Sequence, residues 1–531
     1  MKLRKKIRLL LCFLLLCTGL VPQIALAAED TAVSMPPGQY GNIIIGEDGR
    51  LVPNAESRVV TFETGKTPTE TIYIATDGND LSGKGTIDSP YKTFKKALTL
   101  ANPGTSILAK PGTYAPPSSV HLYIEDLRGT ADAPIWIGGI PGEERPVLSG
   151  GKEGIKMSRG AYVIFHDLEI TGVTENGVNV DGGEDHNSYT GGEYFIFRNM
   201  YVHDIGSGGN DDNFKFSGIN HYYVYDCEAS FGGSPHSSGI DQVGCHYALI
   251  FGNYFHNLEG NAVTFKGGSF DADITQNLMF NAGARAVIMG GTSDLNAWRP
   301  SVSTTEPNYE AMEVRTYSNL IIGAEAGFAF VSAKDCYAVN NTVVKPQRYL
   351  FRILQEGDVA APCEQNTIAN NIFYYDSAVA YPANIGSNTK PETFIMKNNL
   401  YFNVDAPTLA PSIGIKQENP LSAADPLFKD AERFDFRLTA NSPARKTGVT
   451  FSFAKNDFSN LSFAATPSLG AMEFRMVGDT NQDGTVNICD IALWFLAKDS
   501  KEGQPDYNTA CDINADGAVD KTDFDLIKEN I

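Results

Sequence analysis

The sequence predicts an all-β chain, a right-handed parallel β-helix, followed by a small α-helical module with two EF-hand-like calcium loops. Three observations carry this. A short alternating apolar run, an Asn and a second short run recur from Asp167 to Asn399, at intervals of 32, 28, 26, 24, 42, 22, 30 and 28 residues. The same stretch is rich in Gly, Asn, Tyr, Phe and β-branched residues, with few helical periodicities. The last 55 residues hold one acidic loop twice, 33 residues apart.

The chain begins with Lys2, Arg4, Lys5, Lys6 and Arg8, then an apolar run over 9–16 and the small-x-small signal Ala25-Leu26-Ala27, so residues 1–27 read as a secretory signal peptide. No segment approaches the ~20 apolar residues of a spanning helix, and a secreted, soluble product with no membrane span is expected. Cleavage deletes five positive charges and takes the net charge from −21 to −26. Nucleic acid, which needs a basic face, is excluded as a partner. Six cysteines remain (Cys227, Cys245, Cys336, Cys363, Cys489 and Cys511), without a CxxC or Cys/His cluster for zinc. Buried single thiols or sequence-local pairs are expected; disulfides are permitted outside the cell. Residues 28–70 read as an extended N-terminal segment with little core.

Residues 71–475 form the predicted β-helix. The recurring phrase is clearest over 195–202, 249–256 and 273–280, with Asn199, Asn253 and Asn277 at the fifth place. It continues around Asn319, Asn341, Asn371 and Asn399, with Asp167 and Cys227 in the equivalent place. A period near 25 residues with no intervening helices marks a solenoid, and one Asn per turn argues against paired hairpins. Tyr73 to Leu98 resembles the start of many secreted β-helix proteins, where an amphipathic helix, here 93–101, covers the first coil. The stretch from Asp425 to Gly470 resembles their exit.

Irregular intervals place insertions at 181–192, 205–211 and 290–312, the last with Trp298, Arg299 and Tyr309. Insertions project from one face of a solenoid and frame its binding site. Between them lie strands bearing Lys215, Asp241, Lys266 and Arg285, with Asp211 and Asp212 just before the first of these. This pattern resembles the pectate and rhamnogalacturonan lyases of polysaccharide lyase family 9. The resemblance implies Asp212 and Asp241 as calcium ligands, helped by Asp211, and Lys266 as the base. Ser237 and Ser238 stand where that family has acids, which leaves open calcium held weakly, held with help from Asp211, or absent from the cleft. Eliminating a 4-linked uronate removes a weakly acidic proton beside a carboxylate, and a cation or arginine on that carboxylate stabilises the developing charge. A lysine acts as base only once deprotonated, which a neighbouring divalent cation favours. Arg285 and Arg315 are candidates for the substrate carboxylate. Lys215 is a rival base or substrate contact, His236 and His246 are candidate contacts, and Trp298 a candidate stacking platform.

Residues 477–531 carry the duplicated loop. Its first copy has Asp479, Asn481, Asp483, Thr485, Asn487 and Asp490 at positions 1, 3, 5, 7, 9 and 12; the second has Asp512, Asn514, Asp516, Ala518, Asp520 and Asp523. Oxygen side chains, a carbonyl at position 7 and Gly484 or Gly517 at the sharp turn wrap one loop around calcium. Apolar-periodic helices follow at 491–497 and 524–527. This loop–helix pair resembles the dockerin module of cellulosomal enzymes. The resemblance implies two calcium ions, a cohesin partner on a scaffold protein and an extracellular, cellulosome-associated protein acting on anionic plant cell-wall polysaccharide. Ile488-Cys489 and Lys521-Thr522, which precede each final Asp, differ between the copies.

The function expected is a calcium-assisted lyase of homogalacturonan or rhamnogalacturonan. The alternatives are a β-helix glycoside hydrolase, whose two carboxylates would come from Asp211, Asp212 and Asp241, and a non-catalytic polysaccharide-binding β-helix.

Overall fold

The computed structural model describes residues 35–53, 58–183, 191–206, 210–481, 486–501, 503–508, 510–513 and 517–529. Outside these residues lie residues 1–27, read above as a signal peptide, parts of the first two insertions, and the loop positions Asp483, Thr485, Asn514 and Asp516.

Three long sheets wind together as a parallel β-helix, one strand of each per regular coil. The first runs from Glu70–Ile74 to Gln417–Glu418, the second from Thr113–Tyr114 to Leu421–Ser422, and the third from Val120–Glu125 to Ala383–Ile385. Alternation along each strand sends one set of side chains inward. On the third sheet Val178, Phe214, Ile240, Val263, Val287, Phe328 and Phe351 stack in register, each fully buried. Each such side chain contributes about 1.5–3 kcal/mol of burial.

Asn253, Asn277, Asn319, Asn341, Asn371 and Asn399 form a buried ladder beside the first sheet. The side-chain oxygen of each later Asn accepts from the backbone and side-chain N–H groups of the one a coil earlier, at 2.9–3.1 Å. Cys227 heads the ladder, its N–H donating to Asn253 at 2.9 Å. Asp167 and Asn199 are not in it. They fall one residue earlier, in a column of left-handed residues with Asp226, Gln276, Ser318, Asn340, Asn370 and Asn398, at φ between 51° and 57°. Asn and Asp tolerate that region, so both columns of the corner attract the same residue types. Leu168 and Met200 follow these two residues and are buried.

The predicted cap helix is shorter than expected: α1 spans Phe94–Leu98, with Thr93 as N-cap accepting from Lys96 N–H at 3.1 Å. Phe94 and Ala97 seat it on the core at the open first coil. The N-terminal segment also differs from expectation, because it contributes core. Met35, Ile43, Ile45 and Leu51 bury themselves with Tyr254, Leu278 and Leu320. Glu63 further along accepts from Arg198 at 2.8 and 2.9 Å and from the Trp136 indole at 3.0 Å. The alternation in Ile43–Ile45, buried-exposed-buried, is a strand signal too short to read without its partner surface.

The six cysteines are free thiols, five of them buried and Cys489 exposed. At the C-terminus α2 (Ile488–Ala497) and α3 (Lys521–Glu529) bury Trp494, Ala497, Cys511, Val519 and Ile527 between them. Among the described residues no helix is long and apolar enough to cross a membrane.

Candidate active site

The third sheet positions the cluster. Lys156, Asn179, Lys215, Asp241 and Thr264 follow one another in register on successive strands. Neighbouring strands lie ~4.8 Å apart, so side chains on this outward column meet across coils. Asp212 lies just before the Lys215 strand, Phe214–Ser217, and Lys266 ends the strand Asn261–Lys266.

Lys215 Nζ donates to Asp241 Oδ2 and lies 3.7 Å from Asp212 Oδ2. Lys266 Nζ lies 3.2 Å from Asp241 Oδ1. Asp212 Oδ1 accepts from Ser238 N–H at 2.7 Å, and Asp212 N–H donates to Asn176 Oδ1 at 3.2 Å. Both carboxylates are buried, at 2% and 4% exposure, and their environments drive them apart. Burial, then the negative charge of Asp241, pushes the Asp212 carboxyl well above the usual range. Burial alone would raise Asp241 too, but the charges of Lys215 and Lys266 outweigh it and hold Asp241 below that range. For Lys215, burial would lower the value, yet Asp241 and Asp212 prevail and raise it. That direction is wrong for a general base.

Lys266 is supported from the long insertion. Glu310, buried there, accepts from Gly267 N–H at 2.6 Å and from Ser293 N–H and Oγ at 3.0 and 2.7 Å. Burial pushes its carboxyl upward. Gly291 leaves room for the Lys266 stem, since a Cβ there would lie 3.3 Å from Lys266 Cδ. The neighbouring coils add Glu153, whose carboxylate accepts from Asn179 at 2.6 Å and from Asn176 at 3.3 Å.

The cleft residues do not fit a calcium ion, which takes six to eight oxygens. Among the described residues no group of three or more His, Cys, Asp and Glu is placed to hold a metal. The Ser237 hydroxyl donates to Ser234 O at 2.6 Å, and the Ser238 hydroxyl is bonded to Thr264 Oγ1 at 3.2 Å. Of the expected set of Asp211, Asp212 and Asp241, the last two meet, and lysine ammoniums face them. Asp211 is buried in a left-handed conformation at φ 61°.

Arg285 opens its strand opposite Asn261 and makes no ion pair among the described residues. Two coils on, Arg352 donates to Asn384 at 3.0 Å and lies over the Tyr349 ring; burial, then the charge of Arg285, lowers its guanidinium. Arg315 sits on the first sheet, held by Asp271 at 2.6 Å and Asp273 at 2.7 Å, which corrects its assignment to the substrate. Trp298 is 2% exposed, so it offers no stacking face and pins the insertion instead. His236 is exposed in the loop before Ser237. His246 is buried against Phe270 at 3.9 Å, and burial with Arg299 nearby lowers it to about 3.

Sequence reasoning missed Glu310, Asn176 and Arg352. Arg352 had a readable signal, a charge amid the apolar run of Tyr349–Leu354. Glu310 had none, because its partners, the Gly267 and Ser293 N–H groups and the Ser293 hydroxyl, lie 17 to 43 residues away in sequence.

In the C-terminal module the two copies follow a similar arrangement, offset by one residue at the start of the loop. Asp490 accepts from Asn481 and Asn487 N–H at 3.0 and 2.8 Å, and Asp523 from Ile513 and Asp520 N–H at 2.7 and 2.8 Å. Each position-12 carboxylate thus fastens the start of the loop to the start of the following helix. Asp512 Oδ2 accepts from Gly517 N–H at 2.8 Å, drawing the second loop closed.

Residues 72–275 match the family model described as Pel9A-like, right handed beta helix region, and residues 477–531 match the dockerin type I domain. Pectate lyase PEL9 of Emericella nidulans is 35% identical over 115 residues, covering 19% of this chain and spanning 27% of that protein's length. Among solved structures, pectate lyase Pel9A superposes with a TM-score of 0.49 at 16% identity, covering 77% of this chain and 98% of that one. The GH136 lacto-N-biosidase from Eubacterium ramulus gives 0.46 at 13% identity, covering 66% and 67%.

Proposed function

Because the chain joins a Pel9A-like β-helix to a type I dockerin, we propose that it is a secreted, cellulosome-borne polysaccharide lyase that cleaves homogalacturonan or rhamnogalacturonan by β-elimination. The observation that carries this is the convergence of Lys266 with Asp241 on adjacent coils inside the matched region. Lys266, once neutral, takes the proton next to the uronate carboxylate. Its stem is fixed between Gly291 and the Gly267 peptide that Glu310 anchors. Arg285, which has no carboxylate partner of its own among the described residues, receives the substrate carboxylate and stabilises the charge that develops.

The dockerin loops hold two calcium ions, through Asp479, Asn481, Asp483, Thr485, Asn487 and Asp490 and through Asp512, Asn514, Asp516, Ala518, Asp520 and Asp523. Cohesin docks on the exposed α2 face, where Ile488, Phe495 and Leu496 are 72%, 69% and 75% exposed. The test is to supply pectic polymers and follow ultraviolet absorbance of unsaturated uronate ends. Lys266→Ala is expected to abolish it; unsaturated ends at the wild-type rate from that variant would sink the reading.

A second reading, hydrolysis, draws on the opposed shifts of Asp212 and Asp241, the pattern of an acid paired with a carboxylate. New reducing ends without unsaturation would select it.

A further inference from the structure

We infer that the Lys215 ammonium is the resident cation of the cleft, standing between Asp212 and Asp241 where a lyase of this architecture would be expected to carry a metal. The inference rests on the lyase reading for its catalytic consequence, and on geometry alone for its binding consequence.

Each of the four carboxylate oxygens faces a donor or a positive charge, Asp241 Oδ1 through charge alone, since it accepts no hydrogen bond among the described residues. Asp212 Oδ1 takes Ser238 N–H at 2.7 Å, and Asp212 Oδ2 lies 3.7 Å from Lys215 Nζ. Asp241 Oδ2 takes Lys215 Nζ, and Asp241 Oδ1 lies 3.2 Å from Lys266 Nζ. Lys215 reaches this place because its strand puts it directly opposite Asp241 on the next coil. Its side chain is 12% exposed, against 3% and 6% for the two carboxylates. A buried carboxylate pair needs a compensating positive charge, and this one is supplied by the chain. The usual additional ligands are also missing, since Ser237 and Ser238 carry hydroxyls engaged with Ser234 and Thr264.

Lys215 is then a positioning residue. It neutralises the Asp241 carboxylate, so that Asp241 positions Lys266 without holding it as an ammonium, and the Lys215 charge takes the part a divalent ion would play in the elimination. Calcium serves the dockerin alone.

The experiment uses the full chain. Calcium bound per decalcified molecule is measured by equilibrium dialysis, with and without the paired loop substitutions Asp479→Ala and Asp512→Ala. Two ions are expected in the parent and none in the loop variant. A calcium ion retained by the loop variant overturns the inference, whether or not any lyase activity is found. Adding Lys215→Ala to the loop variant is expected to let one calcium ion enter between the freed carboxylates; no uptake overturns the inference.

Where unsaturated product is formed, the parent rate is expected to be unchanged by chelator, and a fall that calcium restores overturns the inference. Lys215→Ala should lose on the order of a hundredfold in rate. Calcium should recover part of that loss, which a merely structural defect would not permit. Absence of product from every chain refutes the lyase reading, while the dialysis still decides the identity of the cation.

Discussion

Replacing Asn341 with Ala removes one rung from the middle of the buried ladder. Asn341 Oδ1 accepts from Asn319 N–H and Nδ2, both at 3.0 Å, and Asn341 Nδ2 donates to Thr316 O, Val339 O and Asn371 Oδ1 at 2.9, 3.0 and 3.1 Å. Asn319 Nδ2 keeps its other acceptors, Ile274 O and Tyr317 O, so the group stranded outright is the Asn319 backbone N–H. A buried unsatisfied donor costs about 1–3 kcal/mol, and each further lost bond about 0.5–1.5 kcal/mol. The sum lies on the order of 4 kcal/mol for a fully buried site with no water to substitute. Cys227→Ala supplies the contrast at the head of the same column. Its thiol makes only long contacts, 3.5 Å to Phe197 O and Tyr225 O, while its backbone N–H keeps Asn253. That substitution should cost roughly 1 kcal/mol or less. Urea unfolding of the full chain, followed by far-ultraviolet circular dichroism, reads the difference. Equal midpoints for Asn341→Ala and Cys227→Ala would refute the claim that hydrogen-bond satisfaction, and not side-chain volume, makes the ladder stable.

Three further outcomes are expected. Gly291→Ala places a methyl 3.3 Å from Lys266 Cδ and should slow formation of unsaturated ends, by up to about a hundredfold if the amine is displaced by 1 Å, with calcium uptake unaltered. Burial would lower His203, but its bonds to Asp204 and Glu169 prevail and raise it; its stabilisation is therefore full below the unfolded value near 6.5 and is lost as pH rises through the higher folded value. His203→Gln should remove that component from a plot of melting temperature against pH. Phe495→Asp with Leu496→Asp should abolish cohesin capture in a pull-down while leaving calcium uptake at two ions, because both side chains are exposed on α2 and lie outside the loops.

The architecture was legible because a solenoid repeats its constraints. The Asn ladder recurs once per coil from Asn253 to Asn399, and each rung needs a side chain that accepts from the backbone N–H of the rung before it and donates to the side-chain oxygen of the rung after it. Asp167 and Asn199 misled because the adjacent left-handed corner selects the same residue types for a different reason, tolerance of positive φ. The N-terminal segment was less legible, since Ile43 and Leu51 acquire a core only against Leu278 and Leu320, far along the chain.

The site divides the same way. That Asp241 and Lys266 meet was readable from spacing, because one coil of displacement is one strand of displacement and so a contact, whereas Asp212 and the roles of all three came from the resemblance to the family 9 lyases. What spacing could not reveal is which charge sits between the carboxylates. Lys215 and Lys266 both lie within a coil of Asp241, and only the register, with Lys215 directly opposite Asp241 and Lys266 two residues beyond Thr264, makes one the bridging cation and leaves the other at the edge. The exposures agree with that division, 12% for Lys215 against 24% for Lys266. A base must meet its substrate, and a charge that holds two buried carboxylates together must not be drawn away from them. The more exposed lysine is therefore the one we assign to proton transfer, and that assignment turns on two residues of register.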